Sequence, residues 1–168
     1  MKGDVQTPIS DIEREIIAFF VNAAQSIGLP KSYGEIYGLF FASEHPLALD
    51  DVINKLHISK GSASKGIRFL KSINALNPIY LPGDRRDHFA PETSLRKLAN
   101  GFLRERIIPE LRLGTERLAS IQETIPEDDF VTHERIQSIQ AWTKKADLIF
   151  PVVSKFLGAT TTKRDISN

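Results

Sequence analysis

No cysteine occurs anywhere in this chain of 168 residues. Disulfide scaffolding, thiol catalysis and thiol redox sensing are therefore excluded. No run approaches the roughly 18 apolar residues of a membrane-spanning helix, and the N-terminus lacks the apolar core of a secretory signal. A cytoplasmic address is expected. Histidine is scarce and scattered: His45, His57, His88 and His133 form no pair four residues apart, so no metal site is expected. Gly-x-Ser-x-Gly, a glycine-rich phosphate loop and His-Glu-x-x-His are all missing, so neither an enzyme nor a cofactor is expected. Net charge is missing too. Lys and Arg number 22 against 21 Asp and Glu, leaving +1, and the molecule as a whole does not advertise a polyanion partner. The 41% apolar and 26% charged fractions are those of an ordinary globular protein, and the length is one domain's worth of chain with a real core.

What the chain does have is local segregation of charge, centred on Ile58-Ser-Lys-Gly-Ser-Ala-Ser-Lys-Gly-Ile-Arg-Phe-Leu70. Ser59 is a good N-cap, because its hydroxyl can accept from an unpaired backbone N–H of the first turn. Ala63, Ile67, Leu70 and Ile73 recur at spacings of four and three and make one apolar stripe. The opposite face shows Lys60, Ser62, Ser64, Lys65, Arg68 and Lys71. Residues 59–71 thus hold four cations and no acid, whereas Glu123–Glu134 is acidic. A small-residue cationic helix face suits the floor of a DNA major groove. Gly61 and Gly66 cost helix propensity, and we expect them to let a backbone or phosphate come close.

The flanking segments give this helix its context. Leu49-Asp-Asp-Val-Ile-Asn-Lys-Leu56 reads as a short helix with acids in its first turn, complementing the helix dipole. His57-Ile58-Ser59 is a three-residue turn of the length a helix-turn-helix needs. Downstream, Leu76–Leu81 and Arg86–Ala90 are short strand candidates around the turn signal Pro82-Gly-Asp-Arg85. Helix, turn, basic helix, basic hairpin is the order of a winged helix-turn-helix.

At these residues a resemblance enters. Ser59-Lys-Gly-Ser-Ala-Ser-Lys65, with Arg68-Phe-Leu and then Asp84-Arg-Arg86, resembles the multiple-antibiotic-resistance-regulator (MarR) type of winged-helix transcription factor. The run Ile27-Gly-Leu-Pro-Lys-Ser-Tyr-Gly-Glu-Ile-Tyr-Gly-Leu39 is similar to the branch named for the glycine betaine synthesis repressor (GbsR). The likeness covers about residues 9 to 120. It implies a dimer on a palindromic operator, with the helix at Ser59–Ile73 in the major groove and Arg86 reaching the minor groove from the wing.

Elsewhere the pattern is helical. Ile9, Ile12, Ile16, Phe19/Phe20, Ala23 and Ile27 recur at helical spacing, and Ser10-x-x-Glu13 fits a capping box. Ser32–Ser43 is a second helix carrying Tyr33, Ile36, Tyr37, Phe40 and Phe41, after which Leu47–Leu49 can give one short strand to the wing sheet. Glu92–Glu123 is mostly helical, and Pro109, which cannot bond the carbonyl of Glu105, marks a kink or a two-helix join. Phe130–Leu157 is the last helix, with a kink expected at Pro151. The broad apolar faces of Ile9–Ile27 and Phe130–Leu157 call for a second partner. Packing on each other and pairing between two subunits both answer that need.

The expected architecture is mainly α: a winged helix-turn-helix with a small β-hairpin wing and flanking N- and C-terminal dimerisation helices. Residues 1–168 are read as a single domain. Its winged-helix core spans about 32–91, its helices for dimerisation and ligand sensing span 8–29 and 92–158, and its flexible tail is 159–168. The expected function is a dimeric transcriptional repressor on double-stranded DNA. Lys60, Ser62, Ser64, Lys65 and Arg68 would work in the major groove, with Arg85 and Arg86 on the wing and Asp84 supporting an arginine there. Tyr33, Tyr37 and Trp142 are candidates for an effector pocket, since aromatic faces can cage a quaternary ammonium; the bland alternative is core. The rival function is a winged-helix module that pairs with protein instead of DNA.

Overall fold

The structure, a computed structural model, describes residues 9–158. Residues 1–8 and the tail 159–168 lie outside the described residues. Contacts divide the chain into two compact units, one ending at Leu98 and the other beginning at Ala99.

The first unit begins with α1 (Asp11–Ser26), whose start is the expected capping box. The Ser10 Oγ accepts from the Glu13 N–H at 3.2 Å, and the Ser10 N–H donates to the Glu13 carboxylate at 2.7 Å. That backbone bond holds the Glu13 carboxyl below its ordinary value. The inner face of α1 is spent on α2 (Lys31–Ala42). The two helices cross where α2 has no side chains. A methyl group at Gly34 would lie 2.5 Å from the Phe20 carbonyl oxygen, and one at Gly38 would lie 2.7 Å from the Ile17 Cα. Phe20 then packs edge-on against Tyr37, with ring centres 4.7 Å apart.

The expected order follows. β1 is Leu47–Ala48, α3 is Leu49–Leu56 and α4 is Lys60–Ser72, capped by Ser59. His57 takes the left-handed conformation at the end of α3, with φ of 52°. β2 (Leu76–Ile79) and β3 (His88–Pro91) complete a three-stranded antiparallel sheet in the order β1-β3-β2. Both strands are shorter than their sequence pattern suggests, so the wing loop runs from Tyr80 to Asp87. Pro78 is tolerated because β2 is an edge strand. Ile36, Leu39, Phe40 and Val52 are fully buried at the centre of this unit, each contributing roughly 1.5–3 kcal/mol by leaving water.

The boundary between the units falls inside α5 (Leu95–Phe102). The second unit continues into a wide π-helical turn at Leu103–Ile107, α6 (Ile108–Gln122) and α7 (Phe130–Gly158). The alternatives at Pro109 resolve into two α-helices joined by that wide turn. Pro109 sits in the first turn of α6, where its missing N–H costs least. The N–H of Ile108 reaches back to the Leu103 carbonyl. α7, in contrast, runs through Pro151 as one helix. Neither α6 nor α7 has a single buried residue. Among the described residues no helix is long and apolar enough to cross a membrane.

Candidate nucleic-acid interface

α4 presents its faces as its periodicity requires. Ala63, Gly66, Ile67 and Leu70 are buried, while Lys60, Ser62, Lys65 and Arg68 are exposed and Ser64 is half-buried. One expectation is corrected here. Gly66 faces inward: a methyl group there would lie 2.3 Å from the Ile36 Cδ1, so its bareness serves the core and not an incoming phosphate. Gly61 alone is open, with only the Ser59 Oγ within 4 Å. The helix start is well finished. The Ser59 Oγ accepts from the Ser62 N–H at 3.2 Å and donates to the Ser62 Oγ at 3.0 Å. The Ser62 hydroxyl proton is left free for an external acceptor.

Between α4, the start of α3 and the wing lies an open cleft of about 450 Å³. Lys60, Ser64 and Arg68 line it from one side and Arg86 from the other, together with Lys71. The spacing of 60, 64, 68 and 71 sets these four on one edge of the helix. Ser62 and Lys65 stand outside the cleft, farther round the exposed face. Lys71 was visible on the cationic face but was not among the expected contacts; its Nζ sits 4.9 Å from the centre of the Phe89 ring, which fixes it toward the wing.

Arg86 is the most constrained of these cations. Its Nε lies 3.0 and 3.2 Å from the two Asp84 carboxylate oxygens, its NH2 nitrogen 2.7 Å from Asp84 Oδ2, and its backbone N–H donates to Asp84 Oδ1 at 2.9 Å. From α3, Asp51 Oδ1 accepts from the NH1 nitrogen at 3.3 Å. The bonds from Arg86 hold the Asp84 carboxyl down to about 2, and the two carboxylates raise the guanidinium above its ordinary value. Asp84 is also a turn residue, its N–H bonded to the Leu81 carbonyl beside Gly83 at φ 86°. Lys60, Lys65, Arg68 and Arg85 form no ion pair among the described residues. Exposed cations with no acid to hold them are what a phosphate backbone requires.

Two residues of the wing machinery were not legible as such. Asp51 reads in sequence only as a first-turn acid, because its partner is 35 residues away. His88 reads as one more hairpin residue, yet it is buried.

The aromatic candidates divide between the two units. Tyr37 is buried between Phe20 and Phe41 and donates its hydroxyl to the Glu92 carbonyl. Burial pushes that hydroxyl up to about 12, helped by the Glu92 charge. Tyr33 stacks on Phe69 at 4.5 Å. Both tyrosines are held in the packing of the first unit. Trp142 belongs to the second unit and is 73% exposed. Among the described residues no cluster of three or more His, Asp or Glu could hold a metal ion.

The helix pair, the sheet and the basic face define a winged helix-turn-helix. Sequence likeness runs to the HTH-type transcriptional repressor GbsR of Bacillus subtilis (strain 168), 23% identical over 119 residues. That match takes in 68% of this chain and 66% of GbsR, so the chain spans just under two thirds of that relative's length. A solved transcriptional regulator shares the fold with a TM-score of 0.67 at 15% identity, over 88% of this chain and 96% of that one. MepR, a transcription regulator of the Staphylococcus aureus multidrug efflux pump MepA, superposes with a TM-score of 0.40 at 18% identity, over 82% and 93% of the two chains. No family model matches the chain.

Proposed function

We propose that this protein is a sequence-specific DNA-binding transcriptional regulator, a repressor that works as a homodimer. The observation that carries the reading is the cleft where Lys60, Arg68, Lys71 and the doubly held Arg86 converge. Lys60, Ser62, Ser64, Lys65 and Arg68 lie in the major groove, where short hydroxyls and cations meet base edges and phosphates. Arg85 and Arg86 follow the wing to the minor groove or its phosphates, with Asp84 holding Arg86 in place. The relative GbsR is named a transcriptional repressor, which supports the sign.

The dimer is supported by the second unit. Leu148, Val152 and Phe156 of α7 are 75%, 68% and 77% exposed, and an apolar stripe of that extent calls for a partner surface. A second copy supplies one and brings two reading helices to an inverted repeat. In this division of labour the first unit reads DNA and the second joins subunits.

Selection from random duplexes, followed by salt titration, tests the reading. An inverted repeat with half-site centres about 10 bp or a multiple apart is expected, with affinity falling steeply as salt rises. Failure to enrich any duplex would reject DNA binding and leave the rival, a winged helix that pairs with protein.

A further inference from the structure

Beside its cations the wing carries one bare aromatic ring. Tyr80 directly follows β2 and opens the wing loop. It is 84% exposed, more than any other large apolar side chain among the described residues. The sequence contains three tyrosines. Tyr37 is buried with its hydroxyl on the Glu92 carbonyl, and Tyr33 is stacked on Phe69. Tyr80 alone is exposed.

Its place decides what it can meet. β2 is an edge strand, and at its end Tyr80 lines an open hollow of about 880 Å³ together with Ile79, Lys71, Arg85 and Arg86. Asp84 and Asp87 also border the hollow, but Asp84 is committed to Arg86. The hollow shares Lys71, Arg86, Asp87 and Phe89 with the cleft beside α4. The surface that faces DNA therefore continues from the reading helix round to the tyrosine. The hairpin has two unlike arms: Ile79, Tyr80, Leu81 and Pro82 are apolar on the way out, and Asp84, Arg85, Arg86 and Asp87 are charged on the way back.

A nucleic-acid strand is built from the same two parts, sugars with apolar faces and phosphates with charge. Tyrosine suits the junction between them, because its ring is apolar and its hydroxyl can donate. With only two side-chain torsions it loses little freedom on contact. Tyrosine hydroxyls are also among the usual donors to the sugar-phosphate backbone. We propose that Tyr80 is an uncharged DNA contact of the wing, its ring packed on a deoxyribose and its hydroxyl donating to a phosphate oxygen. This rests on the DNA-binding reading of the same face and adds a contact of another kind. A cation on a phosphate releases a counterion and so steepens the salt dependence, whereas a neutral ring and hydroxyl release none. Sugars and phosphates carry no direct sequence information, so the contact adds affinity without base preference.

A salt series with the full chain and its selected duplex separates these properties. Tyr80→Ala should weaken binding about tenfold at every salt concentration, and Tyr80→Phe, which keeps the ring, about threefold. Both should keep the slope of log affinity against log salt of the natural chain, and its Tm, since the position is exposed. Unchanged affinity in Tyr80→Ala would overturn the proposal. A slope shallower by about one unit would overturn it too, because the loss would then lie in a displaced Arg85 or Arg86. So would a loss seen with some base pairs under the wing and not with others. The natural chain gives an independent measurement. Nitration by tetranitromethane, located by mass spectrometry, should mark Tyr80 before Tyr33 and Tyr37, and the selected duplex should slow it several-fold. A duplex that binds while Tyr80 reacts at its free rate overturns this inference and leaves the DNA-binding reading standing. A chain that binds no duplex removes both.

Discussion

Asp51 of α3 and Arg86 of the wing are 35 residues apart in sequence and joined by an ion pair of 3.3 Å. The same aspartate uses its other oxygen to accept the Ala48 N–H at 2.8 Å, so one carboxylate both starts α3 and anchors the wing. With Asp84 on the opposite side, Arg86 is bracketed by two acids although it faces the candidate DNA surface. An arginine so held loses less side-chain freedom on meeting a phosphate or a groove.

Removing either acid should therefore weaken DNA binding, although each removal deletes a negative charge near a polyanion. Asp84→Ala is the cleaner case, since Asp51 also serves α3. Competition binding at fixed salt checks it, and tighter binding by Asp84→Ala would leave that residue as an ordinary turn former. The pH dependence has a definite sign. Because the Asp84 carboxyl is held down to about 2, its contribution is fully present above its ordinary value and lost as pH falls through about 2. Acid titration of the Asp84 carboxyl by NMR checks this.

Lys65 and Arg86 should be separable from folding. Arg86→Ala leaves the Tm nearly unchanged, while the slope of log affinity against log salt becomes shallower by about one unit per lost phosphate contact. Lys65→Ala behaves likewise if it meets phosphate. If it reaches a guanine edge, it relaxes sequence preference by roughly 1–3 kcal/mol instead. Binding to the selected duplex and to single-base variants distinguishes these outcomes.

Gly34→Ala should be severe for a residue far from the cleft. The added methyl meets the α1 backbone at 2.5 Å, and a backbone cannot step aside as a side chain can. A loss of about 2–3 kcal/mol or more is expected by urea denaturation. A near-neutral result would mean that α1 can shift on α2.

Tyr37→Phe should cost about 1 kcal/mol, because the Glu92 carbonyl loses its donor. The alkaline limb changes as well. The Tyr37 hydroxyl is pushed up to about 12 by burial, so its contribution is complete below about 10, the ordinary tyrosine value, and is lost as pH rises through about 12. Stability of the natural chain should fall over that interval more steeply than that of Tyr37→Phe.

Charges placed on the two apolar helices should act differently. Phe20 is buried against Tyr37 and Phe41, so Phe20→Asp unfolds the first unit. Leu148→Glu and Val152→Glu change exposed positions of α7; they should dissociate the dimer while the helical circular dichroism of the chain persists. Light scattering checks this, with twice the 18.8 kDa chain mass expected before substitution. A natural chain of single mass would reject the dimer.

The sequence by itself determined the local elements and their order. The Ser10 and Ser59 caps, the stripe of Ala63, Ile67 and Leu70, and the turns at His57 and Pro82 each act within a few residues. A one-dimensional pattern therefore contains their full cause. That is why the winged helix-turn-helix and its cationic face could be read directly. The tertiary structure decided whatever depends on a distant partner. It turned Gly66 toward Ile36, placed Tyr37 in the core beneath Glu92, and drew Asp51 to Arg86. It also buried His88 in the middle strand of the sheet. No periodicity encodes these pairings, because each joins segments that become neighbours only when the sheet and helices close on one core.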